Sequence, residues 1–105
     1  MGIKHYQIKL HNLVTQDDLP DLPLELRKDL IKYQQVLSLD PHHTKGIFSH
    51  NLIGELKGYR ALEIEWNNVG YRLVYRIYEK PAPKRVVIIS FAEHDPAYQK
   101  AKQRK

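Results

Sequence analysis

Residues 71–78 alternate, with Tyr71, Leu73, Tyr75 and Ile77 in one register and Arg72, Val74, Arg76 and Tyr78 in the other. A period of two is that of a β-strand, whose successive side chains point to opposite faces. Apolar-rich runs at 61–66 and 85–94 flank it, separated from it by segments that hold Asn67, Asn68 and Gly70 on one side and Pro81 and Pro83 on the other. Those residues accept turn dihedrals and do not continue a central ladder, so the stretch predicts a three-stranded antiparallel meander. One face reads as apolar and the other as basic. Two readings of the basic face fit: Arg72 and Arg76 are solvent-facing and paired across the ladder with Glu63 or Glu65 at roughly 0.2–1 kcal/mol each, or the sheet presents a concave cationic surface to a polyanion.

The remaining elements follow from spacing and breakers. Tyr6, Ile8 and Leu10 share one register of residues 3–10, which predicts a first strand, and Pro20 and Pro23 predict a loop over 11–23. Leu26, Leu30, Tyr33 and Leu37 recur at helical spacing and predict a helix over 24–38, with Asp21 as N-cap and Glu25 near the positive end of the dipole. Asp40-Pro41 ends it, because the residue before proline leaves the α region. A short second helix is expected over 47–53, tucking in Leu52 and Leu56. Asp95-Pro96 marks the start of a C-terminal helix, with His94 just before it, Tyr98 in its first turn and Lys102, Arg104 and Lys105 at its negative end. The expected class is α+β, an antiparallel-rich four-stranded sheet packed on the N-terminal helix or helices, in the order β-α-(α)-β-β-β-α.

Composition narrows the chemistry. A chain of 105 residues is expected to form a single domain, 1–105, able to bury a core without staples. It contains no cysteine, which removes disulfides, thiolate metal sites and cysteine nucleophiles together and fits a reducing compartment. No apolar run approaches the roughly 20 residues of a membrane helix, and the alternating N-terminus is unlike a signal peptide, so a soluble cytoplasmic protein is expected with no membrane partner. The formal charge of +5 favours nucleic acid, an anionic surface or an acidic protein as partner. His42, His43, His50 and Lys57 offer polar chemistry between the helix and the meander. The adjacent histidines do not both face one metal from regular structure, and neither a metal nor a cofactor is expected.

Three groups of residues carry a family resemblance: Leu52-x-Gly54 with Leu56 and Gly58, then Gly70-Tyr71-Arg72-Leu73-Val74-Tyr75, then Tyr98-x-x-Ala101-x-x-Arg104. Together they resemble the RelE/ParE superfamily of bacterial type II toxins, over nearly the whole chain. The resemblance implies a toxin neutralised by a cognate antitoxin. It also implies one of two activities, ribosome-dependent cutting of messenger RNA or inhibition of DNA gyrase, and the superfamily includes relatives that are binding modules only. DNA would be met only indirectly, through the antitoxin complex. The RNA-cutting branch uses basic residues with a late Tyr or His, which this chain has.

Metal-free RNA cleavage needs a base for the 2′-hydroxyl, cations for the charge gathering on the phosphoryl oxygens, and an acid for the 5′-oxygen. Arg72, in the motif arginine's position, is the candidate clamp for the scissile phosphate, since a planar fork suits that anion. His94 is the natural acid or base, because an imidazole exchanges protons near neutrality. Tyr98 follows from its motif position; a phenol donates as an acid without help but needs neighbouring cations to act as a base. Lys57, Arg60, Arg76 and Arg85 are the candidates for holding the RNA backbone. The region before the second strand offers Lys57 and Glu55 but no lysine cluster, so Glu55 or Glu63 enters as an alternative base. Against these stand simpler roles: His94 bonding at a strand end, and Tyr98 packing its ring under the helix.

Overall fold

The computed structural model describes residues 5–105. Its centre is the strand pair β3 (Tyr59–Trp66) and β4 (Val69–Tyr78), joined by Asn67 and Asn68. Both asparagines have positive φ, 53° and 64°, the left-handed pair that a two-residue hairpin requires and that asparagine tolerates. Antiparallel to β4 runs β5 (Arg85–Glu93), which completes the expected meander.

Two further strands flank the meander and bring the sheet to five, one more than expected, in the order β1-β5-β4-β3-β2. β1 (Gln7–Leu10) pairs parallel to β5, so the sheet is mixed. Residues 3 and 4 of the expected first strand lie outside the described residues. β2 (Ser49–Asn51) pairs antiparallel to β3 where a short helix over 47–53 is predicted; the helical turn comes later, at Gly54–Leu56. The expected loop over 11–23 is also corrected. Val14–Asp18 forms a wide helical turn that passes directly into α1 (Leu19–Asp21), and Pro20 fits there because a first-turn proline gives up a donor the helix does not use.

α2 (Leu24–Leu39) covers one face of the sheet with the four predicted residues, Leu26, Leu30, Tyr33 and Leu37, all buried. They meet Leu62, Ile64, Tyr71, Leu73, Tyr75, Val86, Ile88 and Phe91 in the main core, where the Tyr33 and Phe91 rings meet edge to face at 5.9 Å. The α2 N-cap is Pro23, with no side-chain cap; Asp21 instead ends α1, so its expected capping role is overturned.

The opposite face departs most from expectation. α3 (His94–Arg104) folds back over it, placing Ala97 and Ala101 on Ala61, Val74, Ile89 and Ala92. β5 is therefore covered on both sides, which is why its sequence runs apolar without alternation. A register irregularity between Val74 and Tyr75 sets Val74 opposite Ser90 and Tyr75 opposite Ile88. The extra residue, Ile89, joins the second core on the α3 side. α3 begins at His94 itself, and its N-cap is Glu93 without a side-chain cap; Asp95 bonds to His94 and does not cap.

A buried carboxylate fastens α3. Asp18 accepts hydrogen bonds from Lys100 Nζ at 2.9 Å, Arg104 Nη1 at 2.8 Å and the backbone N–H of Phe91 at 2.9 Å. Burial pushes its carboxyl up, but the bonds from Arg104, Lys100 and Phe91 outweigh this and hold it below the usual carboxylate range.

Candidate functional site

Register decides which side chains share the sheet face beside α3. Glu63 is opposite Arg72, and Arg72 is opposite Ala92. The Glu63 N–H donates to Phe48 O at 2.9 Å. A row therefore crosses four strand positions: Phe48, Glu63, Arg72, Ala92. The next row, His50, Ala61, Val74 and Ser90, starts open at His50 and then passes under α3. The row containing Glu63 and Arg72 lies beside it, in a trough between the β2 edge and the start of α3 where Glu63 is partly exposed and Arg72 mostly buried.

The trough is electrostatically unfinished. Arg72 Nη2 lies 3.6 Å from Glu63 Oε1, and Arg72 Nη1 donates to Tyr71 O at 2.9 Å. His50 Nδ1 lies 3.0 Å from Glu63 Oε2, but the approach is not aligned as a hydrogen bond, and that nitrogen has no partner. Arg72 Nε is buried without a partner as well. Buried polar atoms without partners are rare in folded proteins, and among the described residues both of these flank one carboxylate. Glu63 is 34% exposed and Arg72 15%, so the carboxylate faces solvent more than the guanidinium does.

Beside this row α3 borders a hollow that Glu63 and Arg72 do not line. Tyr98 and Lys102 stand one turn apart and line this hollow of about 400 Å³ with His50, Leu52, Ile53 and Leu56. His94 packs edge-on against Tyr98, ring centroids 4.9 Å apart, and its Nδ1 lies 2.7 Å from Asp95 Oδ1. Of the three residues expected to act on the phosphate, His94 and Tyr98 are in direct contact. Arg72 lies one strand over, opposite a residue two positions before His94.

The four expected backbone-holding residues are dispersed. Arg60 points into the other side of β3, donating to Tyr75 Oη at 3.1 Å, Asn51 Oδ1 at 2.8 Å, His42 O at 3.1 Å and Ser49 Oγ at 2.8 Å. Tyr75 Oη in turn donates to Pro41 O at 2.7 Å. Arg60 thus holds the 41–51 segment to the sheet, with four of its five N–H groups taken. Lys57 is exposed just after the Gly54–Leu56 turn.

Arg76 and Arg85 share the α3-side face, at the far end of the strands. Arg76 stacks on the Tyr59 and Tyr78 rings at 5.4 and 5.2 Å, and Arg85 stacks on Tyr78 at 4.6 Å. Each guanidinium is thus held over an aromatic ring, and Arg85 Nη1 also donates to Pro81 O at 3.2 Å. The two arginines form a second cationic feature, separated from the trough by the part of the face that α3 covers.

At the same end Tyr6 Oη donates to Glu79 Oε2 at 2.7 Å, and His42 Nε2 lies 2.7 Å from the same oxygen. Burial, with Glu79 beside it, pushes the Tyr6 phenol up to about 12. The bonds from His42 and Tyr6 lower the Glu79 carboxyl. This group closes the segment after α2 onto the end of β4.

Sequence reasoning named Arg72, His94 and Tyr98, with Glu63 as an alternative base. It named His50 without a role and did not single out Phe48. The local signal for both is alternation in the Phe48-Ser49-His50 segment, half of a strand pattern only three residues long.

No family model matches the chain, and no curated protein does. Among solved structures, the chain superposes on a YoeB/ParE toxin from Agrobacterium tumefaciens with a TM-score of 0.67 at 17% identity, covering 84% of this chain and 98% of that one. It also superposes on a chain of the archaeal RelE–RelB complex from Pyrococcus horikoshii OT3 with a TM-score of 0.58 at 18% identity, over 88% and 98% of the two chains. The similarity is in fold, through nearly the full length of both structures.

Proposed function

Because the chain carries the fold of the RelE/ParE toxins, we propose that it is the toxin of a type II toxin–antitoxin pair and cuts messenger RNA on the ribosome without a metal. The supporting observation is the Glu63–Arg72 pair on the sheet face beside α3, with Glu63 34% and Arg72 15% exposed. A phosphodiester meets the exposed part of that guanidinium. Its non-bridging oxygens accept from Arg72, and its 2′-hydroxyl meets Glu63.

The step balances within these residues. Glu63 takes the 2′-hydroxyl proton, O2′ bonds to phosphorus, the P–O5′ bond breaks, and the leaving O5′ takes a proton from His94 or Tyr98. The products are a 2′,3′-cyclic phosphate and a 5′-hydroxyl. Arg72 offsets the charge that builds on the phosphoryl oxygens, while Lys57, Arg76 and Arg85 meet phosphates further along. The partner antitoxin lays an acidic or amphipathic segment over this face and occupies the cations in place of RNA.

Purified protein should cut a message only when ribosomes are present. Arg72→Ala and Glu63→Gln should abolish cutting while keeping the wild-type melting curve. Intact message with folded wild-type protein and ribosomes overturns the proposal.

A further inference from the structure

We infer that Phe48 is a stacking shelf for a nucleobase, the one carried by the nucleotide whose 2′-hydroxyl meets Glu63. The inference rests on the RNA-cutting reading above. Phe48 is 66% exposed, on the short β2 edge of the sheet. Its backbone is fixed, since Phe48 O accepts from the Glu63 N–H and the preceding turn is pinned by Thr44 Oγ1, 2.6 Å from Ile47 O and 2.8 Å from Ser49 Oγ. One side of its ring meets His50, centroids 5.8 Å apart and planes 25° apart. The rest of the ring is open to solvent.

Position gives this ring its assignment. Phe48 heads the same row as Glu63 and Arg72, its backbone one strand spacing, about 4.8 Å, from that of Glu63. A ribose seated with its 2′-hydroxyl on Glu63 and its 3′-phosphate on Arg72 sends its base away from Arg72, toward the β2 edge, where Phe48 and His50 present aromatic surface. Stacking on a fixed ring is tolerant of base identity, because every base has a π-face.

Equilibrium binding of a short labelled deoxyadenylate strand, which lacks the 2′-hydroxyl and is not cut, tests the shelf against the same backbone without bases. Phe48→Ala should weaken binding of the adenylate strand about tenfold, the size of one aromatic–base stack, and leave the abasic strand unchanged. Phe48→Trp should bind the adenylate strand at least as tightly as wild type. Because the side chain is largely exposed, both variants should melt like wild type. Equal weakening of both strands by Phe48→Ala, or no weakening of either, overturns the shelf. If Arg72→Ala loses both strands while Phe48→Ala loses neither, the RNA reading stands and the shelf alone falls. Wild-type protein that binds neither strand overturns the shelf, and the RNA reading falls with it only if message on ribosomes also stays intact.

Discussion

Arg60 and Arg72 are chemically identical and have opposite fates, set by what their donors meet. The Arg60 donors end on Tyr75, Asn51, His42 and Ser49, so its free energy goes into holding the 41–51 segment. Arg72 donates to Tyr71 O and lies 3.6 Å from Glu63, so its other Nη donors remain for a ligand. A lysine keeps the charge but loses the planar fork. Arg72→Lys should therefore lower cutting about 100-fold, the scale of one lost oxyanion donor, with the urea midpoint unchanged. Arg60→Lys should do the reverse, keeping most of the turnover of the folded fraction and lowering stability by about 2 kcal/mol. If the two variants instead behave alike in both assays, donor occupancy does not separate their roles. Tyr75→Phe belongs with Arg60: it leaves Pro41 O and the Arg60 Nε–H short of a partner, and urea unfolding should show a loss of about 1–2 kcal/mol.

α3 shows how an element is held by charge where its apolar stripe is thin. Its buried residues are two alanines, and Asp18 supplies the rest by gathering Lys100, Arg104 and the Phe91 N–H. Asp18→Asn leaves Arg104 buried without its counter-ion, which should cost about 3 kcal/mol in urea unfolding. The pH dependence follows from the lowered Asp18 pKa, against an ordinary value of 3.8. Its stabilisation is fully present above the unfolded-state value and is lost as pH falls through the lower folded-state value. Wild type should therefore lose stability steeply below about pH 4, and Asp18→Asn, weaker at neutrality, should lose less over that range; parallel acid curves for the two proteins exclude the linkage. No spacing rule links Asp18 to residues more than eighty positions away, so this anchor was not legible in the sequence, whereas the α2 stripe and the Asn67-Asn68 turn, both local, were. The segment at 47–53 failed for the same reason. Three residues carry too little periodicity to outweigh a helical reading, and their strand state comes from pairing with β3 and from Arg60. Arg72, His94 and Tyr98 are read from motif and chemistry together, and their roles rest on the proposed function. Phe48 and His50 were not assigned roles because their place beside Glu63 exists only once β2 pairs.

At the scale of the whole molecule, the formal charge of +5 is divided into parts that do different things. Lys100 and Arg104 are spent on Asp18, and Arg60 is turned inward. Arg72 sits beside Glu63, while Arg76 and Arg85 lie over tyrosine rings at the far end of the same face. The presence of α3 between these last two regions means that an RNA strand gripped at both ends passes around the helix and does not lie straight along the sheet. Each phosphate contact with a single strand contributes about 0.7 to the slope of log affinity against log salt. Replacing Arg76 and Arg85 together by glutamine should reduce that slope by about 1.4 and weaken binding evenly across sequences. Cutting at saturating message should stay near the wild-type rate, because neither residue is in the trough. An unchanged slope would show that the tyrosine-stacked arginines serve only the fold, and a lost turnover at saturation would move them into the reaction itself.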